Sequence, residues 1–304
     1  MLFNDFEKRC DELMEKRGIM GHTAARRFTQ DFKMALCWFE LKGMGNKEDT
    51  LALLENDDNL TPNTVLLTNF KKPLSELISD TLKEDQIFMN LIRLLLDNNG
   101  KGVGAGELAL PLIIANYQFS NESDGVYFVN GEKKFSELKK MGASLKPVKT
   151  GVTEKGLVDT LNEEFFNGTV PGMRNVKQFE KHLKEVSNPK AYKEYFERLY
   201  VGCDVEKLAS EVELCYTDST EFNTAIGKFA LEQYQKVDGW TNIMFIDQGD
   251  VEGSKKARER ASDPIVVNIA DVTNVDDLDL TFVPKLARKK DTQAIADGYV
   301  NVQF

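Results

Sequence analysis

The feature that most constrains this chain is the pair Asn130-Gly131, set between two runs of strand-forming residues, Val126-Tyr127-Phe128-Val129 and Glu132 to Lys139. Asn-Gly is the strongest short-range signal for a two-residue β-hairpin, because the turn that matches strand twist needs positive φ at both central positions. Such a turn fixes register outward from itself. It pairs Val129 with Glu132, Val126 with Phe135 and Asp124 with Glu137. Opposed side chains have Cβ atoms roughly 4.5–5.5 Å apart. Two carboxylates at that spacing repel unless a cation lies between them, one is protonated, or both splay into solvent. A hard divalent cation with oxygen ligands answers the first need. Strand periodicity then sends Lys139 off the same face as Glu137 and turns Leu138 to the other face, toward a core. The Leu138 carbonyl is a further candidate ligand. Glu132-Lys133-Lys134 repeats the Glu-x-Lys pattern, but register leaves Glu132 beside the turn, away from Asp124.

Around this hairpin the charge balance inverts. The 304-residue chain carries a net charge of −10, which argues against coating nucleic acid over its whole surface. Yet seven lysines (133, 134, 139, 140, 146, 149 and 155) face two glutamates (137 and 154) between Lys133 and Lys155, so a local basic surface borders the carboxylates. A hydrophobic fraction of 41% suffices for a real core. No run approaches a membrane span, and Met1 to Glu7 lacks a basic region followed by an apolar stretch, so neither membrane insertion nor a secretory signal is expected. Cys10, Cys37, Cys203 and Cys215 have no C-x-x-C spacing, which excludes the usual zinc sites and points to reduced thiols in a cytoplasmic setting. With only His22 and His182 available, serine- or cysteine-based triads rank low.

Organisation along the chain is read from periodicity. Residues 1–97 form a helical N-terminal region, with helices expected over Phe3–Arg17, Ala24–Phe39 and about Leu74–Leu96, and a loop over the turn-rich stretch from Gly43 to Pro62. Asp97-Asn98-Asn99-Gly100 ends the last helix, and Gly100 to Gly106 forms a glycine-rich loop entering Glu107. Residues 98–156 hold the hairpin and its carboxylates, and 157–235 read as a helical insertion or subdomain. Residues 236–304 bring back strands at Trp240–Asp247, Ile265–Ala270 and Leu278–Val283, expected to complete the sheet. The fold class is therefore α/β in the broad sense, α+β in detail, around a central mixed sheet. The glycine loop could cradle phosphate, but no strand precedes it and Lys101 is followed by Gly102, so neither a dinucleotide fingerprint nor Walker A is satisfied.

The series Gly104-Ala105-Gly106-Glu107, then Asp124, then Glu137-Leu138-Lys139-Lys140-Met141-Gly142 resembles the PD-(D/E)XK nuclease superfamily, particularly phage-encoded and restriction-type members. The resemblance covers about residues 100–146. Three departures stand out: Ser123 replaces the usual proline, Ala105 replaces a basic residue often found in the glycine loop, and a second lysine, Lys140, follows Lys139. The resemblance implies a restriction-endonuclease-like core in which Asp124, Glu137 and the helix acid Glu107 ligate Mg²⁺ or Mn²⁺ and Lys139 is the catalytic lysine. The implied activity is metal-dependent endonucleolytic cleavage of DNA in the host cytoplasm, with Lys133, Lys134, Lys140, Lys146 and Lys149 contacting the DNA. The partners compatible with it are DNA, a second copy of the chain, or a phage assembly partner. The alternative is a phage virion or DNA-packaging protein on the same fold with its activity weakened or lost.

Overall fold

The computed structural model describes residues 3–21, 25–96, 106–120, 123–145, 163–164, 167–168, 219–247, 263–288 and 296–303. Two compact units emerge: Met1–Met141 with Trp240–Asp271, and Gly142–Gly239 with Val272–Phe304. The protein is a mixed α/β chain, and its main sheet is mixed in strand direction. Among the described residues, no helix is long and apolar enough to cross a membrane.

The first unit begins with α1 (Phe3–Lys16) and α2 (Ala25–Leu41), close to the expected helices. The Gly43–Pro62 stretch departs from the expected loop, because Asn46 caps a third helix, α3 (Lys47–Glu55), by accepting from the backbone N–H groups of Glu48 and Asp49. Side-chain oxygens at a helix N-terminus satisfy donors that have no partner within the helix. The single helix expected over Leu74–Leu96 is three: α4 (Leu74–Leu77), α5 (Asp80–Lys83) and α6 (Gln86–Leu96). Ser79 accepts from Leu82 N–H, and the Asp85 carboxylate accepts from Phe88 N–H at 2.8 Å. Each interruption is thus an N-cap inside an otherwise continuous apolar pattern.

The six-stranded sheet has the order β1-β7-β6-β4-β3-β2, from β1 (Phe70–Pro73), β2 (Tyr117–Phe119), β3 (Gly125–Val129), β4 (Glu132–Lys140), β6 (Asn242–Asp247) and β7 (Ile265–Ile269). Strands β2, β3 and β4 form an antiparallel meander, β6 runs parallel to β4, and β7 and β1 return antiparallel. Edge strand β1 lies inside the N-terminal region expected to be built of helices and a loop. That region is also not a separate body. Phe6, Phe32, Leu36, Leu91 and Leu95 share one hydrophobic cluster with Tyr127, Leu138, Met244, Ile246 and Val266 from the sheet. Amphipathic helices must cover their apolar stripe, and the sheet supplies the partner face.

That face also carries a buried polar chain. Tyr127 donates to Asn242 Oδ1 at 3.0 Å, Asn242 donates to Asn268 Oδ1, and Asn268 donates to the carbonyls of Leu66 and Thr68. Both asparagines are fully buried, so each of these bonds offsets a desolvation cost. Because the chain joins β3, β6 and β7, a slip of any one strand would break it.

In the second unit, β5 (Ser144–Leu145), β8 (Thr281–Arg288) and β9 (Ala296–Gln303) form a separate antiparallel sheet of order β5-β9-β8. Of the three C-terminal strand segments expected to widen the main sheet, the first two join it, while the segment near Leu278–Val283 enters this second sheet. Helix α7 (Ser219–Asp238) packs there, and Gly227 is needed because a Cβ would stand about 2.0 Å from the Phe282 ring. The rest of the expected 157–235 helical region lies almost wholly outside the described residues, as do Lys146 and Lys149.

Candidate active site

The hairpin forms in the register that its turn dictates. Asn130 and Gly131 have φ of 52° and 82°, the positive pair required for this turn, and Val129 pairs with Glu132, Val126 with Phe135 and Gly125 with Ser136. Asp124 lies one residue before β3, opposite Glu137 by continuation of that ladder. Its carboxylate takes the place of a backbone acceptor, with Oδ2 receiving the Leu138 N–H at 2.8 Å. Ser123, where the resemblance would have a proline, is buried and donates to the Gly125 carbonyl at 2.8 Å, so it also shapes the chain on either side of Asp124. Glu132 is far from the carboxylates, paired instead with Lys134 at 2.7 Å.

Asp124, Glu137 and Lys139 meet. Lys139 Nζ bonds to Glu137 Oε1 and lies 3.9 Å from Asp124 Oδ2. Glu137 is buried, whereas the side chains of Asp124 and Lys139 keep about a quarter of their surface, so the trio has a wet side and a dry one. Burial pushes the Asp124 carboxyl up to about 6, and the Glu137 charge adds to the rise; the Leu138 N–H and the Lys139 ammonium oppose it only in part. At neutral pH the arrangement therefore holds two carboxylates against one ammonium in partial burial.

Glu107 is placed differently from expectation. It is buried, but in a turn running into a 3₁₀ segment, Leu110–Leu112, rather than at the start of an α-helix, with Leu110 N–H bonded to Gly106 O. Gly106 adopts φ +86°, and a Cβ there would lie about 2.3 Å from Ile246. The glycine allows the chain to press against the sheet before Glu107. Among the described residues, no group of three or more His, Cys, Asp or Glu side chains is disposed to hold a metal ion. The carboxylates brought together are two, Asp124 and Glu137. The other loop glycines lie outside the described residues.

The lysines divide. Lys133 and Lys140 are exposed on β4, whereas Lys134 is half-buried and paired with Glu132. Sequence reasoning passed over Tyr117 and Ser136. The Tyr117 ring occupies the space a Gly125 Cβ would fill, stacked at 6.2 Å from Tyr127. Its hydroxyl is near Ser136 Oγ but not in hydrogen-bonding geometry, and both oxygens are buried without a partner. The negative charges of Asp124 and Glu107 reach this phenol and help hold it protonated, after burial, the larger cause. The readable signal was Gly125 itself, a glycine at the first position of β3 that leaves room for a close approach.

Comparison of the chain with protein-family models, with curated proteins and with solved structures gives no match.

Proposed function

We propose that this protein is a Mg²⁺- or Mn²⁺-dependent phosphodiesterase that cleaves DNA internally, with Asp124, Glu137 and Lys139 as its working centre. The observation that carries the reading is the convergence of two carboxylates and one ammonium on one face at the end of a hairpin, in a setting where burial and the Glu137 charge hold the Asp124 carboxyl above its ordinary value. The donor chemistry suits a hard cation, since both groups offer anionic oxygen and neither offers nitrogen or sulfur. Asp124 and Glu137 would hold the ion, which when bound supplies Lewis-acid stabilisation of charge on a phosphodiester. The Leu138 N–H fixes one Asp124 oxygen. Lys139, tethered to Glu137, is placed to donate to a phosphate oxygen or to orient the attacking water. Exposed Lys133 and Lys140 would add attraction for the backbone of DNA. The setting that suits this activity is a host-cell cytoplasm, with a phage as the source of the chain and a second copy as the partner for cutting both strands.

Nicking of supercoiled plasmid with Mg²⁺ or Mn²⁺ tests the proposal. Cleavage should require the cation and should vanish in Glu137→Ala. Cleavage no greater for the natural chain than for that variant defeats the enzyme reading.

A further inference from the structure

The hairpin presents a second feature on the face that bears Glu137 and Lys139. Strand alternation puts Phe128, Lys133 and Phe135 on this face, while Tyr127, Ser136 and Leu138 point into the core on the other. Phe128 is 47% exposed. Its cross-strand partner is Lys133, whose Nζ stands 4.9 Å from the centroid of the half-buried Phe135 ring. An exposed ring, a cation beside it and a second ring beneath that cation thus form one short strip.

The strip is held in place. Pairs in an antiparallel ladder alternate between those exchanging hydrogen bonds and those whose polar groups point outward. Counting from the Val129–Glu132 pair that closes the turn, Phe128 and Lys133 are an outward-pointing pair. Strand β2 pairs with residues 125–127 only, so it cannot satisfy the Phe128 carbonyl. The buried Asn63 does so, donating from Nδ2 at 2.9 Å. A side-chain amide is thus spent on fixing the backbone beneath an exposed aromatic ring. Four residues separate Phe128 from Asp124, about 13 Å of strand, which matches roughly four phosphates of a stacked nucleic-acid strand at 3.4 Å each.

We infer that Phe128, with Lys133, is a stacking platform for an unpaired base of the DNA substrate, so that the centre at Asp124 and Glu137 acts on single-stranded or locally opened DNA. This rests on the nuclease reading above and supplies its substrate class. A flat, exposed ring takes any base on its π-face, and the neighbouring ammonium meets the phosphate anion. An intact duplex offers no base face to such a platform except at its ends.

Fluorescence anisotropy of the full chain in EDTA, at one fixed ionic strength, tests the inference with a short fluorescein-labelled oligodeoxythymidylate as the single strand and relaxed closed-circular duplex, which has neither ends nor loops, as the duplex competitor. Stacking of one base on one aromatic corresponds to roughly five- to a hundred-fold in affinity. Phe128→Ala should therefore weaken single-strand binding about ten-fold or more and leave duplex binding within about two-fold. Phe128→Trp should retain it. Leu94→Ala, a change at a residue of nearly equal exposure (48%) on α6, should have no effect. Unchanged single-strand affinity in Phe128→Ala, equal loss for duplex and single strand, or no single-strand binding by the natural chain would each overturn the platform. Plasmid nicking separates the two ideas. Cation-dependent nicking alongside Phe128-independent binding rejects the platform alone, and Phe128-dependent binding without any nicking rejects the nuclease reading alone.

Discussion

Replacing Asp124 by asparagine should make the protein more stable at neutral pH while abolishing its proposed activity. Folding carries the Asp124 carboxyl from an ordinary value near 3.8 up to about 6. A pKa unit is worth about 1.4 kcal/mol, so holding Asp124 ionised in the folded chain costs about 3 kcal/mol above pH 6. The sign follows from proton counting. Between about pH 4 and 6 the folded chain keeps a proton that the unfolded chain has released, so stability contributed by this group is present at low pH and is lost as pH rises through the folded value. Asparagine has nearly the same shape, can still accept the Leu138 N–H through its oxygen, and can donate to Glu137 through its nitrogen. It removes the charge without leaving a hole. The variant should gain about 1–3 kcal/mol over the natural chain at pH 7.5 in EDTA, and the gain should shrink toward zero near pH 4.

Urea unfolding followed by tryptophan fluorescence reads this directly, because both tryptophans, Trp38 and Trp240, belong to the unit that contains the carboxylates. Only the difference between the two proteins is needed, so the titration of groups away from the Asp124–Glu137 pair cancels. Adding Mg²⁺ should close the gap from the natural chain's side, since a ligand at a hundred times its dissociation constant stabilises by about 2.7 kcal/mol. A variant less stable than the natural chain at pH 7.5, or a difference that does not vary between pH 4 and 7, would refute the claim that the two carboxylates oppose one another in a partly buried site.

Two further expectations follow from the same geometry. Cleavage with Mg²⁺ should fall as pH drops through about 6, because a protonated Asp124 loses its affinity for a cation, so a pH–rate profile flat down to pH 5 would contradict its role as a ligand. Asn268→Leu would strip donors from the carbonyls of Leu66 and Thr68 and leave the Asn242 amide unpaired, so it should cost on the order of 2–4 kcal/mol in urea unfolding.

The parts of this fold legible in the sequence are those set by local chemistry. Asn130-Gly131 admits one turn, the turn admits one register, and the register decides that Glu137 rather than Glu132 stands with Asp124. Helices α1 and α2 were readable because their apolar stripe repeats without a competing cap. The illegible parts were decided at a distance. The run from Leu74 to Leu96 has helical periodicity throughout, yet Ser79 also bonds to the Asn59 carbonyl and Asp85 also accepts from Thr50, so partners far along the chain hold the breaks open. The strand at Phe282 and that at Ile265 look alike in sequence, and only pairing partners send one to the second sheet and the other to the first.

Glu107 shows what a motif leaves to geometry. Its spacing after the glycine loop placed it among the acids, but a motif carries no distances. In the fold, Gly106 presses against Ile246 on the core face of the sheet, whereas Glu137 and Lys139 leave the opposite face. Glu107 and Asp124 both act by charge on the Tyr117 phenol. The distinction between acting by charge and acting by contact is measurable. Glu107→Gln preserves volume and hydrogen-bonding capacity while removing the charge. It should lower cleavage less than Glu137→Ala does and leave the Mg²⁺ concentration needed for half-maximal nicking within about three-fold, a change of under 1 kcal/mol. A loss of cation affinity as large as that caused by Asp124→Asn would place Glu107 on the metal after all.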